Sequence, residues 1–230
     1  IRVLFEHEEV FEHFHLKSLA PSVPVMANIG GVQLTNIPHD RLIDMVRRLE
    51  ADALVVHLNP GQELFQSDGD RDFTGVLASI ERYCELSPLP VIVKETGFGI
   101  SPNLAEHLLG SGVSFVDVAG SGGTNWIRVE SHRDGPEAQE ETTEFDDWGI
   151  PTAHVLAALR TTADKATEGR ILASGGIRTG QDIAKSIALG ARLAGLALPF
   201  IREEVAGGTE GVVGRIESLK KTIKRIMLLT

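Results

Sequence analysis

The stretch PVIVKETGFGISPNLAEHLLGSG, residues 90–112, decides the fold class of this chain. It begins with an apolar run typical of a strand that is covered on both faces, and a glycine-rich turn follows. Ser101 and Pro102 are an N-cap and first-turn pair, and the apolar residues after them keep helical spacing as far as Gly110. The stretch therefore predicts a strand, a turn and a helix, in that order.

The same order recurs on both sides of this stretch. Strand-like runs occupy residues 25–29, 53–58, 90–96, 113–119, 171–174 and 193–198. Helical spacing of apolar residues occupies 42–49, 73–83, 104–109, 151–162, 181–189 and 213–226. This alternation predicts an α/β fold with a parallel sheet, either open and doubly wound or closed into an eight-stranded barrel.

Glycines and polar residues gather just after the predicted strands, which favours the barrel, because its active face is formed by the carboxyl ends of the strands. No Gly-x-Gly-x-x-Gly follows the first strand, so the dinucleotide-binding fold is less favoured. A (β/α)8 TIM barrel uses about 200 to 250 residues as one unit. We therefore expect residues 1–230 to form a single barrel domain with about six of the eight strands present.

Composition limits the partners. The net charge of −10, from 22 Lys and Arg against 32 Asp and Glu, argues against a nucleic-acid or anionic-membrane binder. No apolar run reaches the roughly 20 residues of a membrane span. The single cysteine, Cys84, has no internal disulfide partner. We expect a cytoplasmic protein with no nucleic-acid or membrane partner.

The sequence SGGIRTG at residues 174–180 precedes a predicted helix, so backbone N–H groups and the helix dipole can face an anion, with Arg178 nearby. The last predicted strand ends at residues 195–200, and in barrels the last two strand ends often share one phosphate. We predict a phosphate cradle here. Glycine pairs that only form tight turns are the alternative.

The sequence HLNPGQE at residues 57–63 is the densest polar group. Strand alternation sends His57 and Asn59 to the same side, and the proline that follows ends the strand. Glu63 offers carboxylate oxygen to a hard cation such as Mg²⁺, and the histidine and asparagine offer hydrogen bonds to a diphosphate. The alternative for His57 is a satisfied core histidine.

Lys94 ends an apolar strand, where a buried ammonium needs a negative partner. That partner is either a carboxylate such as Glu95 or an anionic cofactor, for example a reduced flavin. The sequence GSGGTNW at residues 120–126 leaves room for a planar ring against backbone.

Residues 128–148 form an acidic insertion, with eight Asp or Glu against one Arg between residues 130 and 147. We expect a loop there, either a lid over the site or a solvated segment.

These motifs together resemble type 2 isopentenyl diphosphate isomerases. The resemblance covers the chain from Arg2 to about Phe200 and is most specific at residues 57–63, 90–101, 116–126 and 173–178. It implies a (β/α)8 barrel that interconverts isopentenyl and dimethylallyl diphosphate with reduced FMN, Mg²⁺ and NADPH as the initial reductant. We also expect a homo-oligomer.

The resemblance also implies roles for particular residues. Gln62 matches the glutamine beside the reacting carbons, and Glu63 matches the Mg²⁺ ligand. The substrate-binding set is Arg2, His57, Asn59 and Gln62. The FMN-binding set is Asn28, Lys94, Thr124, Gly176, Ile177, Arg178, Ala197 and Leu198.

The chain departs from the family pattern in several places. It lacks the basic Arg-Lys segment, the first strand with its Gly-Met-Thr-Gly-Gly loop, and the second strand. Gly61 replaces a residue that is usually larger, and Ala119 stands where a serine is common. We expect the 230 residues to be an incomplete copy of a longer protein, with unpaired strand edges at residues 25–29 and 193–198.

Two other classes of function stay open. A 2-hydroxy acid oxidase-like FMN barrel would share the cradle and Lys94, but needs a His base beside an Arg for the substrate carboxylate. His132 and Arg133 lie in the acidic insertion and match this pattern poorly. A non-catalytic flavin-binding fragment is the second alternative.

Overall fold

The computed structural model describes residues 1–162 and 167–230. Its centre is a sheet of six parallel strands in the order β1-β2-β3-β4-β5-β6. The strands are β1 (Met26–Gly30), β2 (Ala53–His57), β3 (Val91–Lys94), β4 (Phe115–Asp117), β5 (Ile171–Ala173) and β6 (Leu193–Ala194). Sequential order with parallel pairing requires a crossover between every two strands, as in a (β/α) barrel.

Helices supply these crossovers. In the described part of the chain they are α1 (Gly31–Asn36), α2 (His39–Arg48), α3 (Pro60–Phe65), α4 (Val76–Leu86), α5 (Pro102–Gly110), α6 (Trp126–Asp134), α7 (Pro136–Glu141), α8 (Thr152–Thr162), α9 (Gly180–Ala188) and α10 (Leu198–Leu229). Short 3₁₀ turns occupy Arg2–Phe5, Glu8–His13, Leu16–Ser18 and Thr143–Phe145. The predicted cap of α5 is confirmed, since Leu104 N–H donates to Ser101 Oγ at 3.3 Å.

The two faces of the sheet have different partners. One face packs against the helices and forms the main core, in which Leu54, Val56 and Val93 are fully buried. The other face carries a smaller apolar cluster of Ala53, Val55 and Ile92. Above that cluster, at the carboxyl ends of the strands, the same face carries the polar residues of the site.

All six predicted strands are confirmed, but β3 is three residues shorter than expected, and β4 and β6 are each four residues shorter. β6 ends at Ala194 instead of residue 198, and Leu198 begins α10. The reason is its neighbour, because β5 has only three residues and pairs with β6 only through Leu172 and Ala173. Once that ladder ends, the chain is free to turn into the next helix.

The acidic insertion is not the loop that was expected. Residues 128–148 lie mostly in α6, α7 and a 3₁₀ turn. The Asn125 side chain caps α6 by accepting from Arg128 N–H at 3.1 Å, and Pro136 opens α7. The segment is rich in Glu, and Glu and Ala are good helix formers, so its acidity indicated exposure but not a lack of structure.

Both ends of the sheet lack a further strand in the described residues, and β1 and β6 each pair on one side only. On the inner face, Met26 is 45% exposed and Leu193 is 56% exposed. Residues 1–18 pack on α2, where Arg41 stacks over Phe5, and Ile1 N–H donates to the backbone oxygen of Asn28 on β1 at 2.7 Å. No helix in the described part of the chain has the length and apolarity needed to span a membrane.

Candidate functional site

Three charged or titratable residues end neighbouring strands on the inner face. His57 pairs in register with Lys94, and Lys94 pairs with Asp117, so the three side chains lie next to one another across β2, β3 and β4. Register partners in a parallel sheet point to the same face. The site is therefore built on rigid strand ends, which keeps its spacing fixed.

His57 is held as a neutral imidazole. Its Nδ1 lies 3.1 Å from Asn28 Nδ2 on β1, and an amide nitrogen can only donate, so Nδ1 acts as the acceptor. Burial, and next the nearby Lys94 ammonium, lower the pKa of His57 to about 4. The predicted residues Asn28 and His57 are thus brought together on the neighbouring strands β1 and β2.

Lys94 is half-buried at the end of β3, and its Nζ donates to the backbone oxygen of Glu95 at 2.8 Å. Burial lowers the pKa of Lys94, while the carboxylates of Asp117 and Glu95 act in the opposite direction. The lysine therefore has anions near it but no direct carboxylate partner among the described residues. An anionic ligand over the strand end would give the Lys94 ammonium a direct negative partner.

Asp117 is a site residue that the sequence reasoning missed. Its carboxylate accepts from Ser174 N–H at 2.9 Å and from Ser174 Oγ at 2.8 Å, and so ties the end of β4 to the end of β5. It also accepts from the N–H of Ala119 at 3.2 Å, which has a positive φ of 39°. A charged residue inside an apolar strand was the available signal, the same signal that identified Lys94.

Helix α3 carries the predicted catalytic and metal residues. Asn59 precedes it and donates through Nδ2 to Glu63 Oε1 at 2.8 Å, while Glu63 Oε2 accepts from Asp70 N–H at 2.9 Å. Gln62 lies one residue earlier on the same short helix. The structure thus confirms that residues 57–63 gather at one strand end.

Glu130 is the second residue that sequence reasoning missed. It is 3% exposed on α6, and its Oε1 accepts from Gln62 Nε2 at 2.8 Å, while Arg133 pairs with its other oxygen at 2.9 Å. This bond fixes the Gln62 amide with its nitrogen towards the carboxylate. Nothing in the local sequence predicts the pair, because the two residues are 68 positions apart.

The turn that is predicted to bind a phosphate needs one correction. The Asp182 carboxylate accepts the N–H groups of Arg178 and Thr179, so these donors at the start of α9 are already used. The N–H groups of Gly176 and Ile177 have no acceptor among the described residues. The Arg178 guanidinium likewise has no hydrogen-bond partner there, so the cradle offers these three groups to an anion.

The turn at residues 175–176 requires glycine. Gly175 and Gly176 have φ values of 86° and 78°, which L side chains rarely adopt. Their backbones also press against the loop after β4, since a Cβ on Gly175 would lie 2.0 Å from the oxygen of Gly120. The two glycine-rich loops therefore form one continuous backbone surface beside the strand ends.

Thr124 is exposed in the loop after β4, at the edge of a cavity of about 490 Å³. The cavity is lined by Gly97, Phe98, the loop 121–125 and residues 146–149 with Pro151. Asp146 and Asp147 make its rim acidic, which disfavours a diphosphate there. Ala197 is exposed and Leu198 half-buried at the junction of β6 and α10, on the same edge as the cradle.

Arg2 lies outside the strand ends, in the first 3₁₀ turn, and is exposed. Its charge reaches the segment that follows α3: the pKa of Asp68 is lowered mainly by a hydrogen bond from Gln66, with smaller contributions from Arg133 and Arg2. The structure therefore places Arg2 on the side of α3, without a direct contact to Gln62 or Glu63.

The donor set fits an FMN phosphate and a substrate-bound magnesium ion. The cradle offers two N–H groups and a guanidinium, and the Thr96 hydroxyl, two residues beyond Lys94, is buried without a partner in the described residues. Residues 1–162 and 167–230 contain no group of three His, Cys, Asp or Glu that could hold a metal. Mg²⁺ needs no such cage, because it is often held by one carboxylate together with substrate phosphates. Glu63, the predicted metal residue, is a single carboxylate whose two oxygens accept from Asn59 Nδ2 and Asp70 N–H.

Curated relatives align with most or all of this chain. Isopentenyl-diphosphate delta-isomerase from Borrelia garinii subsp. bavariensis is 43% identical over 229 residues, which cover 100% of this chain and 63% of the relative. The enzyme of the same name from Synechococcus sp. is 46% identical over 202 residues (87% and 57%), and that from Pyrococcus abyssi is 38% identical over 235 residues (99% and 62%). The resemblance drawn from the motifs is confirmed, and the chain spans less than two thirds of the length of these relatives.

Solved structures match in fold. A lactate oxidase from Pediococcus acidilactici superposes with a TM-score of 0.61 at 21% identity and covers 90% of this chain and 57% of its own. A flavocytochrome b2 variant superposes with a TM-score of 0.59 at 23% identity, with coverages of 83% and 46%. At such identities the match supports the partial barrel alone.

The pattern of FMN-dependent dehydrogenases matches residues 40–230, which include every strand end described above except that of β1. The cradle, Lys94 and the glycine-rich loop after β4 all lie within this match. The chain belongs to the FMN-dependent dehydrogenase family.

Proposed function

We propose that the protein interconverts isopentenyl and dimethylallyl diphosphate, with FMN as cofactor and Mg²⁺ on the diphosphate. The observation that carries this proposal is the Gln62–Glu130 pair beside Glu63 and the cluster of His57, Lys94 and Asp117. A fixed amide, a single carboxylate and the Lys94 ammonium at the carboxyl ends of neighbouring strands support proton transfer beside an anionic ligand. Relatives named isopentenyl-diphosphate delta-isomerase support the same reaction.

We assign each residue a role in the reaction according to its chemistry. An amide is too weak an acid or base to move a proton alone, so Gln62 orients the group that does. Reduced FMN, when bound, supplies the acid–base group and the electron-rich ring for adding and removing the allylic proton, with NADPH as the source of reducing equivalents. Lys94 stabilises negative charge on the ring, and the cradle with Arg178 binds the phosphate.

The diphosphate end is assigned to the other strand ends. Neutral His57 and Asn59 donate hydrogen bonds to it, Glu63 binds Mg²⁺, and Arg2 contributes positive charge from the side of α3. Asn28 orients His57 through the 3.1 Å contact. Thr124, Ala197 and Leu198 line the flavin edge of the same face.

A 2-hydroxy acid oxidase is the second candidate, favoured by the folds of the structural relatives alone. That reaction needs a His base next to an Arg at the strand ends. His132 instead lines a cavity of about 330 Å³ between α6 and α7, and Arg133 is bound to Glu130. The described residues therefore present no such pair at the site.

The test is an isomerase assay on the purified protein with FMN, Mg²⁺ and NADPH. We expect conversion of isopentenyl diphosphate without net consumption of NADPH, and no reduction of the flavin by lactate. FMN binding, followed by flavin fluorescence, should be lost or weakened in Lys94→Met. Lactate-dependent flavin reduction would support the oxidase, and FMN binding without either turnover would leave a flavin-binding fragment.

Glu63→Gln tests the metal assignment within this proposal. The substitution keeps the size and one acceptor oxygen but removes the charge that Mg²⁺ prefers, so turnover at low Mg²⁺ should fall about tenfold or more and recover in part at high Mg²⁺. FMN affinity should stay unchanged. Parallel loss of FMN and turnover would assign Glu63 to the fold instead.

A further inference from the structure

Glu95 is a buried carboxylate that the proposed chemistry does not use. It follows β3 directly and is 6% exposed. Its Oε2 accepts the N–H groups of Gly97 at 2.6 Å and Gly99 at 3.2 Å, and also that of Phe98. Among the described residues no side-chain cation binds this carboxylate, so it is satisfied by the backbone of its own turn.

The same turn fixes the ammonium of Lys94. Lys94 Nζ donates to the backbone oxygen of Glu95 at 2.8 Å, not to its carboxylate. That carbonyl is fixed in direction because the three N–H groups that follow converge on one carboxylate oxygen. The position of the ammonium over the strand end therefore depends on the turn that Glu95 organises.

The turn also contacts the helix that carries Gln62 and Glu63. A Cβ on Gly61 would lie 2.7 Å from the ring of Phe98, so the ring fills the space that a larger residue at position 61 would occupy. The carbonyl of Phe98 accepts from Ile150 N–H at 2.7 Å, and this bond holds the residue from the side of α8. Phe98 thus joins the turn to the first turn of α3.

We propose that Glu95 is a positioning residue that sets Lys94 and α3 relative to each other, and so aligns the flavin with the bound diphosphate. This inference rests on the proposed function, and it adds a residue that touches neither ligand. A carboxylate suits this position because its charged oxygen accepts all three N–H groups, and hydrogen bonds to a charged acceptor are stronger than bonds to a neutral amide oxygen.

FMN affinity in a double-mutant cycle tests the link to Lys94. Because a neutral amide oxygen holds the three N–H groups less strongly than a carboxylate, Glu95→Gln should weaken FMN binding about tenfold in the wild-type background. If Glu95 acts through Lys94, the same change should cost less than about twofold in Lys94→Met. Equal losses in the two backgrounds would overturn the inference, because a merely structural residue would act on both alike.

Phe98→Leu tests the link to α3 and does not depend on the folding of Glu95→Gln. The smaller side chain loses ring contact with Gly61, and displacements of about 1 Å can cost up to 10²-fold in rate. We expect kcat/KM for isopentenyl diphosphate to fall about tenfold while FMN affinity changes less than twofold. An unchanged kcat/KM would overturn this part. Failure of the wild-type protein to bind FMN would instead overturn the proposed function.

Discussion

At the scale of single residues, the site depends on how burial changes the charge of each group. His57 is the clearest case, because burial and the Lys94 ammonium lower its pKa to about 4, against 6.5 in an exposed histidine. The neutral ring is what Asn28 requires, since its amide donates to Nδ1. The geometry and the protonation state therefore support each other.

This predicts a pH dependence of stability. Between pH 6.5 and pH 4 the unfolded chain binds a proton at His57 that the folded protein does not, so stability is fully present above pH 6.5 and falls as the pH is lowered. The loss amounts to about 3 kcal/mol across the window. Urea unfolding of wild type and His57→Gln at pH 7 and pH 4.5 measures it, and the variant should lose clearly less. An equal loss would mean that His57 is not buried neutral.

Arg178 gives a second prediction at this scale. Its guanidinium has no hydrogen-bond partner in the described residues, and the unpaired N–H groups of Gly176 and Ile177 directly precede it in the chain. Arg178→Glu should weaken FMN binding about a hundredfold, because a charge-assisted bond is replaced by repulsion. Arg192→Glu is the matched control. Arg192 directly precedes β6, so it lies at the amino-terminal ends of the strands, whereas the cradle lies at their carboxyl ends. Similar effects of both variants on FMN fluorescence titrations would point to net charge, not to a cradle.

At the scale of elements, helix α6 supplies the carboxylate that binds the Gln62 side chain. It brings Glu130 against Gln62, and the 3₁₀ turn that follows α7 brings Phe145 against Phe65 of α3, with ring centroids 5.0 Å apart. The acidic insertion is thus packed on the helix that carries the predicted catalytic residue.

Glu130→Gln tests this contribution. The amide can no longer define the orientation of Gln62 as a carboxylate does, and we expect kcat to fall about tenfold or more, the size of one bond to a charged group. FMN affinity should stay within about twofold. Glu137→Gln, an exposed change on α7, is the control and should leave turnover unchanged. If the Glu130→Gln variant keeps the wild-type kcat, α6 does not contribute to catalysis.

At the scale of the whole molecule, the sheet is an incomplete cylinder. β1 and β6 each have one unpaired edge in the described residues, and Met26 and Leu193 of the inner face are largely exposed beside those edges. Unpaired edges with apolar neighbours promote association with other strands. Any further strands of the protein, or a second copy, would pair there.

Residues 1–230 produced alone should therefore self-associate. Sedimentation should show oligomers at micromolar concentration, and thermal unfolding should depend on protein concentration. The double variant Met26→Lys with Leu193→Lys places charge at both edges and should shift the protein towards the monomer. A cooperative monomer with full isomerase activity would show that the six strands suffice.

Local sequence patterns predict the six strands, their alternation with helices and the grouping of polar residues at the strand ends. These are local properties: apolar runs, glycine-rich turns and caps such as Ser101 are encoded within about ten residues. The same applies to the cradle and to the segment from His57 to Glu63. The resemblance to isopentenyl diphosphate isomerases rested on these motifs.

Only the tertiary structure decided which side chains meet. The Gln62–Glu130 bond joins residues 68 positions apart, and the Asp117–Ser174 bonds join residues 57 positions apart. Such contacts are set by the order of the strands in the sheet and by the packing of distant helices, which no local pattern specifies.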